Sequence, residues 1–155
     1  ICNMSTIVTP YLTKLDSIEK ELPDIAKQAV IDNSKQIIDL LKFGQLEEGL
    51  NSFGVVTGTY SFHTQGYANA DNISTPKKFG DSYNFFWSGE TIDGLKIGRN
   101  TRKEFDITTV SGKQKLLEGI YGEIFDLTEE HNQYVNMEII LPTLQKYILD
   151  NLMKI

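Results

Sequence analysis

A chain of 155 residues with 40% hydrophobic and 23% charged residues has the size and composition of one globular domain, spanning residues 1–155. Its net charge of −6, with no basic stripe, argues against binding to a nucleic-acid backbone. The single cysteine, Cys2, excludes a disulfide or a cysteine-based zinc site within the chain, which suits a reducing cytoplasm.

The sequence predicts neither a membrane-spanning helix nor secretion. No apolar run approaches the roughly 20 residues that cross a bilayer. The N-terminus lacks the basic region and apolar core of a signal peptide. Met4 is a candidate for the natural start, and we expect residues 1–9 to be a flexible N-terminal extension.

The first third of the chain predicts helix in two pieces. Thr9 and Pro10 suit the N-cap and first position of a short helix, which Pro23 is expected to end. From Asp24 an amphipathic pattern continues to Leu46 and predicts a long helix of about 30 Å. The glycine-rich stretch GQLEEGLNSFG (44–54) then indicates a helix exit that leads to a functional surface.

The middle of the chain is rich in aromatic residues and predicts a small antiparallel sheet. Residues 55–60 are β-branched enough for a strand. Residues 85–92 and 95–99 flank an Asp93-Gly94 pair, which is typical of a β-hairpin turn. Residues 62–80 are polar and predict a long loop, and loops of this length are usually functional or disordered.

The last third returns to helix. A short helix over residues 113–119 precedes a final helix that Thr128 is expected to cap. Pro142 lies within the apolar stripe of that final helix and is expected to kink it near Glu138. The order of helices, strands and helices predicts an α+β fold with one helical layer against the sheet.

The residues offer little catalytic chemistry. The two histidines, His63 and His131, do not form the pair that binds a metal, and no serine lies in a nucleophile elbow. We therefore predict no catalytic site, no metal site and no cofactor. A hydrolase that uses His63 stays an alternative because of the length of the predicted loop.

The aromatic stretch SYNFFWSG (82–89) has two interpretations. Tyr83, Phe85 and Trp87 can alternate inward as part of the core, which is the favoured interpretation for most of them. Phe86 and Trp87 can instead anchor a partner, because aromatic residues dominate interface hot spots. Adjacent residues on a strand face opposite sides, so at least one ring must be covered outside the sheet.

An ordered series of short motifs runs along the chain. An amphipathic helix ends in Gln-Leu-x-x-Gly-x-x-Ser-x-Gly, a tyrosine-bearing strand follows, a loop leads to Gly-acidic-x-aromatic, and Tyr-Gly-x-x-Ile-Phe-x-Leu-Thr precedes the last helix. The matching residues are Gln45, Leu46, Gly49, Ser52, Gly54, Tyr60, Gly80, Asp81, Tyr83, Tyr121, Gly122, Ile124, Phe125 and Leu127. The series resembles the tail-completion or virion-morphogenesis proteins of tailed bacteriophages, in the form typical of Bacteroidota phages. Phe79 departs from that pattern, in which a threonine precedes the middle glycine.

The resemblance implies a structural protein of the virion, made in the host bacterial cytoplasm and not an enzyme. Such proteins form a homo-oligomeric ring at the neck of the particle, between the portal-bound adaptor proteins and the tail, and DNA is only passing cargo. The candidate interface residues are Lys77, Lys78, Phe79, Phe86 and Trp87. The alternative is a cytoplasmic protein-binding adaptor or regulator of phage or bacterial origin.

Overall fold

The computed structural model describes residues 4–70, 77–86 and 88–153, and in these ranges helices surround a two-stranded antiparallel sheet. This arrangement confirms the α+β prediction. The helices are α1 (Met4–Asp32), α2 (Ser34–Leu41), α3 (Phe62–Ala70), α4 (Glu90–Asp93), α5 (Gln114–Tyr121), α6 (Glu129–Tyr134) and α7 (Leu141–Leu152). The strands are β1 (Leu95–Asn100) and β2 (Phe105–Thr109), and π-helical segments cover Lys42–Leu46 and Val135–Ile140.

Helix α1 is continuous, so the predicted break at Pro23 is wrong, and Thr9 lies inside the helix rather than at its cap. Proline removes one helical hydrogen bond, but α1 packs lengthwise against α7 and buries Ile18 to 4% exposure, which offsets that loss. Residues 4–9, which the sequence predicted as part of a flexible extension, form the first turns of α1, and residues 1–3 lie outside the described residues.

The helical run ends where the glycine pattern predicts. After α1 the chain makes one turn at Asn33, whose side-chain amide donates to the carbonyl of Ala29 at 2.8 Å. It then continues through α2 and the first π-helical segment and leaves helix after Leu46. The last five residues are π-helical, with the N–H of Glu47 bonded to the carbonyl of Lys42 at 3.0 Å.

Pro142 is expected to kink the final helix near Glu138, and the structure has a π-helical segment at that place. The second π-helical segment, Val135–Ile140, directly precedes α7, and Pro142 lies in the first turn of α7. Proline has no N–H to bond with the carbonyl of Glu138, so the hydrogen-bond pattern changes in the turn before it. The cap prediction is confirmed, because the Thr128 hydroxyl accepts a hydrogen bond from the N–H of His131 at 3.3 Å.

The predicted β-hairpin is wrong in its partner strand. Strand β1 pairs with β2, which follows it, with Leu95 opposite Thr109 and Ile97 opposite Ile107. The residues before β1 form α4 instead, because the N–H of Gly94 bonds back to the carbonyl of Glu90 at 3.1 Å. The strand predicted over residues 55–60 is also absent from the described residues, where only the isolated bridges Leu50–Val56 and Thr59–Ser82 occur.

The hydrophobic core joins the helical run to the sheet and to the irregular segment before α6. Its buried members are Val30, Ile37, Leu41, Leu46, Ile92, Leu95, Ile107, Ile124, Phe125, Leu127, Val135 and Ile139. Ile124 and Phe125 are 0% and 2% exposed although they belong to no helix or strand. Their backbone therefore needs hydrogen-bond partners other than a ladder.

Gln45 supplies such partners to the residues that directly follow Phe125. Its side chain is fully buried, and its amide nitrogen donates to the carbonyl of Asp126 at 2.7 Å. Its amide oxygen accepts from the N–H of Thr128 at 3.0 Å. One side chain thus satisfies both backbone groups that flank Leu127 and fixes the residue that caps α6.

We predict that Gln45→Leu lowers the free energy of unfolding by about 2–4 kcal/mol, because it leaves a buried carbonyl and a buried N–H unpaired. Gln28→Leu is the matched control, since Gln28 lies on an exposed helical face and bonds only to Asp32. Its effect should stay within about 0.5 kcal/mol. Urea denaturation measures both, and equal losses would contradict the role assigned to Gln45.

Candidate functional site

A buried lysine organises the segment that the sequence singled out. Lys77 is 2% exposed, and its Nζ donates to the side-chain oxygen of Asn84 and to the backbone carbonyl of Phe86. The ammonium group also lies 5.2 Å from the centre of the Tyr60 ring. Among the ion pairs of the described residues, none includes Lys77, so its partners are neutral oxygens and a ring face.

Asn84 is the second member of this network. Besides Lys77, its side-chain oxygen accepts from the Tyr60 hydroxyl at 2.8 Å and from the N–H of Phe86 at 3.2 Å. The N–H of Asn84 in turn donates to the Tyr60 hydroxyl at 2.9 Å. These bonds hold residues 84–86 without a strand, and Phe85 is kept at a φ of 50°, a left-handed conformation that costs a large residue about 1–3 kcal/mol.

Burial perturbs the titration of this cluster. Desolvation lowers the pKa of Lys77 to about 8, because no carboxylate compensates the buried charge. Desolvation also raises the pKa of Tyr60 and of Tyr121 above the ordinary value of a tyrosine. Compared with the unfolded chain, the folded protein therefore shifts all three side chains toward their neutral forms, while Lys77 stays mostly protonated at neutral pH.

Next to the network, four aromatic rings pack edge to face. The ring centres of Tyr60 and Tyr83 are 5.0 Å apart, those of Tyr83 and Tyr121 are 5.2 Å apart, and those of Phe85 and Tyr121 are 5.1 Å apart. Edge-to-face contacts of this kind add about 0.5–1.5 kcal/mol each beyond burial of their area. The same four rings line a cavity of about 340 Å³.

Helix α3 lies against this segment and carries exposed rings. The side-chain oxygen of Gln65 accepts from the N–H of Phe79 at 2.8 Å, which ties α3 to residues 77–86. Phe62, Tyr67 and Phe79 are 73%, 68% and 67% exposed, and we call these three residues the α3 surface. The prediction of one loop over 62–80 is thus wrong for residues 62–70, which are helical, while residues 71–76 lie outside the described residues.

The candidate interface residues separate into distinct environments. Lys77 is buried, so its assignment to an exposed interface is wrong. No local pattern predicts that neutral oxygens cover this side chain. Lys78 and Phe79 are exposed, and Phe86 is half-buried at the aromatic cavity. Trp87 lies outside the described residues.

Hydrogen bonds join some of the sequence motifs that are far apart along the chain. Gln45, Leu46, Ile124, Phe125 and Leu127 lie in the buried core. The N–H of Ser52 donates to the carbonyl of Glu123 at 2.8 Å and joins the first motif to the last. In the middle motif, the backbone of Tyr60 bonds to Gly80 at 3.0 Å and to Asp81 at 2.9 Å.

Three glycines of the sequence motifs adopt backbone conformations with positive φ. Gly49 has a φ of 75°, and a Cβ atom there would lie 2.2 Å from the carbonyl oxygen of Tyr83. Gly54 and Gly122 also have positive φ, 72° and 80°, but no atoms lie within 4 Å of their Cβ positions. Position 49 therefore requires glycine for two reasons, its positive φ and the lack of space for a Cβ atom. It lies where the helix exit contacts the aromatic cluster.

The two histidines lie apart from this site. His63 is exposed on α3. The imidazole of His131 packs on Gly44, where a Cβ atom would lie 2.9 Å from the ring, and its Nδ1 is buried without a hydrogen-bond partner in the described part of the chain. His131 lines a second cavity of about 770 Å³ together with Asp126, whose pKa is raised by burial and then by the nearby charge of Glu123.

Sequence reasoning missed Asn84, Gln65, Phe62 and Tyr67. Asn84 carried a usable signal, because it is the one polar residue among the aromatics of residues 83–87, and a buried polar side chain must find partners. The other three became visible only once α3 was known to be a helix.

No family model, no curated protein and no solved structure matches the chain. Within residues 4–70, 77–86 and 88–153, no helix has the length and apolar character needed to span a bilayer. In the same ranges no three histidine, cysteine or acidic side chains are grouped so that they could hold a metal ion. A functional proposal therefore depends on the motif series in the sequence and on the geometry of the chain itself.

We predict that Gly49→Ala destabilises the fold by about 2–4 kcal/mol, because left-handed strain adds to overlap with the Tyr83 carbonyl. Gly54→Ala is the matched control, with nearly the same φ and open space around it, and should cost only about 1 kcal/mol. Chemical denaturation of the two variants measures the difference. Similar losses at both sites would show that the contact with Tyr83 is unimportant.

A second prediction concerns pH. The unfolded chain holds the Lys77 proton up to about pH 10.5, whereas the folded protein releases it near pH 8, so the stability contributed by this site rises with pH between these values. The rise should reach about 2–3 kcal/mol. Lys77→Met should abolish it, and Lys78→Met, at the exposed neighbouring lysine, should retain it.

The measurement is the free energy of unfolding in urea at pH 7.5–10.5, taken as the difference between wild type and each variant. Ionisation of the tyrosines, whose raised pKa values lower stability as the pH rises past 10, is common to all three proteins and cancels in that difference. A flat difference between wild type and Lys77→Met would contradict the assignment.

Proposed function

We propose that this chain is a structural protein of a tailed-phage virion, which assembles as a ring at the neck between the portal-bound adaptor proteins and the tail. The virion assignment rests on the resemblance of the motif series, and the structural observation that supports a protein–protein contact is the α3 surface. Three large aromatic side chains, on α3 and on the segment bonded to it, are about two-thirds or more exposed. Aromatic side chains are enriched at protein–protein contacts.

The support beneath the α3 surface fits such a contact. The bond from the Phe79 N–H to Gln65 joins the two segments that carry these rings, and the Lys77–Asn84–Tyr60 network holds the chain close to Phe79. A surface that is already ordered loses less conformational entropy on association, which favours a repeated and uniform contact between subunits. The aromatic cavity, which Thr64 of α3 also lines, has room for an apolar side chain of the neighbouring subunit.

The charge of the chain is compatible with a neck position. A net charge of −6 makes the surface repel rather than retain a nucleic-acid backbone, so DNA can pass through a ring of such subunits without adhering to it. In this proposal the chain performs no bond chemistry, and its activity is the formation of correctly placed contacts.

The location is tested by mass spectrometry and electron microscopy of particles from the phage or prophage that encodes the chain. We expect the protein in purified particles, with density for a ring at the neck. A protein that is abundant in the lysate but absent from the particles would refute the virion assignment and favour the cytoplasmic adaptor.

The contact surface is tested by the double variant Phe62→Ser/Phe79→Ser, which removes two rings that are already exposed and should leave stability within about 1 kcal/mol of wild type. We expect it to reduce incorporation into particles at least tenfold in a complementation assay. Phe53→Ser is the matched control, because Phe53 is 74% exposed but lines the second cavity. Equal incorporation of all three proteins would remove the α3 surface from the proposal.

A further inference from the structure

The first half of α1 carries an uncovered apolar stripe. Val8, Tyr11, Leu12 and Leu15 are 49%, 48%, 56% and 44% exposed, and we call these four residues the α1 stripe. Their spacing of three, one and three residues places them on one helical face. The same face continues to Ile18, which is 4% exposed, so the stripe is the uncovered end of a row that is buried further along.

The position of α7 along α1 explains why the first half of α1 is exposed. The two helices are antiparallel, because Ala26 and Val30 share a cavity with Asn136 and Ile140 while the Tyr147 hydroxyl donates to the Glu21 carboxylate. In that register Leu152, the last residue of α7, lies level with Asp16 of α1. The helical residues before Asp16 extend past the end of α7 by about 18 Å.

The uncovered area is large for a surface of a single subunit. At the end of α7, Leu149 and Met153 are 58% and 78% exposed. Together with the α1 stripe they leave six large apolar side chains 44–78% exposed, and large exposed apolar patches mark interaction sites. A stable interface buries about 800 Å² from each partner, so the polar rim of the patch has to be part of the contact.

We propose that the α1 stripe binds the α1 stripe of a second copy of this chain, with the two helices antiparallel. The spacing of three, one and three reads the same in both directions. A two-fold axis between Tyr11 and Leu12 therefore brings Val8 opposite Leu15 and Tyr11 opposite Leu12, which is the self-complementary arrangement that a two-fold interface requires.

The charge distribution also favours a second copy. The chain as a whole carries a charge of −6, but residues 8–22 and 141–153 contain three lysines against four carboxylates and so carry only −1. Two copies that meet through this part of the molecule avoid most of the repulsion between their net charges. A strongly basic partner would instead be drawn to the acidic remainder of the surface.

The pairing is tested by sedimentation velocity of the purified 155-residue chain over a range of concentrations. We expect a reversible dimer that Leu12→Gln/Leu15→Gln weakens at least tenfold. Leu116→Gln/Ile120→Gln is the matched control, since these two residues also lie about one helical turn apart and are 64% and 61% exposed on α5. That control should dimerise like wild type, and circular dichroism verifies that both variants keep their helices.

The geometry has a separate test. With Cys2→Ser removing the native thiol, Leu12→Cys should form an intermolecular disulfide under mild oxidation, because the two-fold axis brings the two positions within bridging distance. Leu116→Cys in the same background should not. A monomer at all concentrations, or equal cross-linking at both positions, would overturn the proposal.

This inference is independent of the neck assignment. The dimer is measured on the isolated chain, whereas the neck assignment is measured on particles. Loss of self-pairing with normal incorporation would refute only the α1 contact, and a dimer that is absent from particles would refute only the virion role.

Discussion

The fold depends on one buried amide. Gln45 stands at the end of the N-terminal helical run and bonds to the backbone on both sides of Leu127, at the entrance to the C-terminal helices. The segment that it holds contains Ile124 and Phe125, which fill the core without belonging to a helix or strand. An unpaired buried amide or carbonyl costs free energy. The two bonds of Gln45 therefore favour one position of the C-terminal helices relative to the N-terminal helical run.

The same principle governs the middle of the chain, where side chains replace a hydrogen-bonded ladder. Lys77, Tyr60 and Asn84 provide the donors and acceptors that hold residues 84–86, and the aromatic rings pack around them. The consequence is a buried ammonium group with neutral partners, whose pKa falls to about 8. A polar network of this kind specifies a single conformation at some expense in stability.

The α3 surface and the α1 stripe are both exposed on this framework, and they differ in kind. The α3 surface is formed by rings that project singly from a short helix and from residues 77–86, held by side-chain hydrogen bonds. The α1 stripe is a regular helical face that extends past its intramolecular cover. The first suits a contact between unlike surfaces, as in a ring, and the second suits a two-fold contact between like surfaces.

The sequence by itself determined the features that depend on near neighbours. It predicted the α+β class, the helix exit at Leu46 and the Thr128 cap, since periodicity, glycine and capping chemistry act within a few residues. Only the tertiary structure decided that α1 continues through Pro23, that β1 pairs with the strand after it, and that Lys77 is buried. Each of these results from contacts between distant segments, such as α7 along α1 or Asn84 on Lys77, and no local pattern encodes the free energy of a contact whose partner lies elsewhere in the chain.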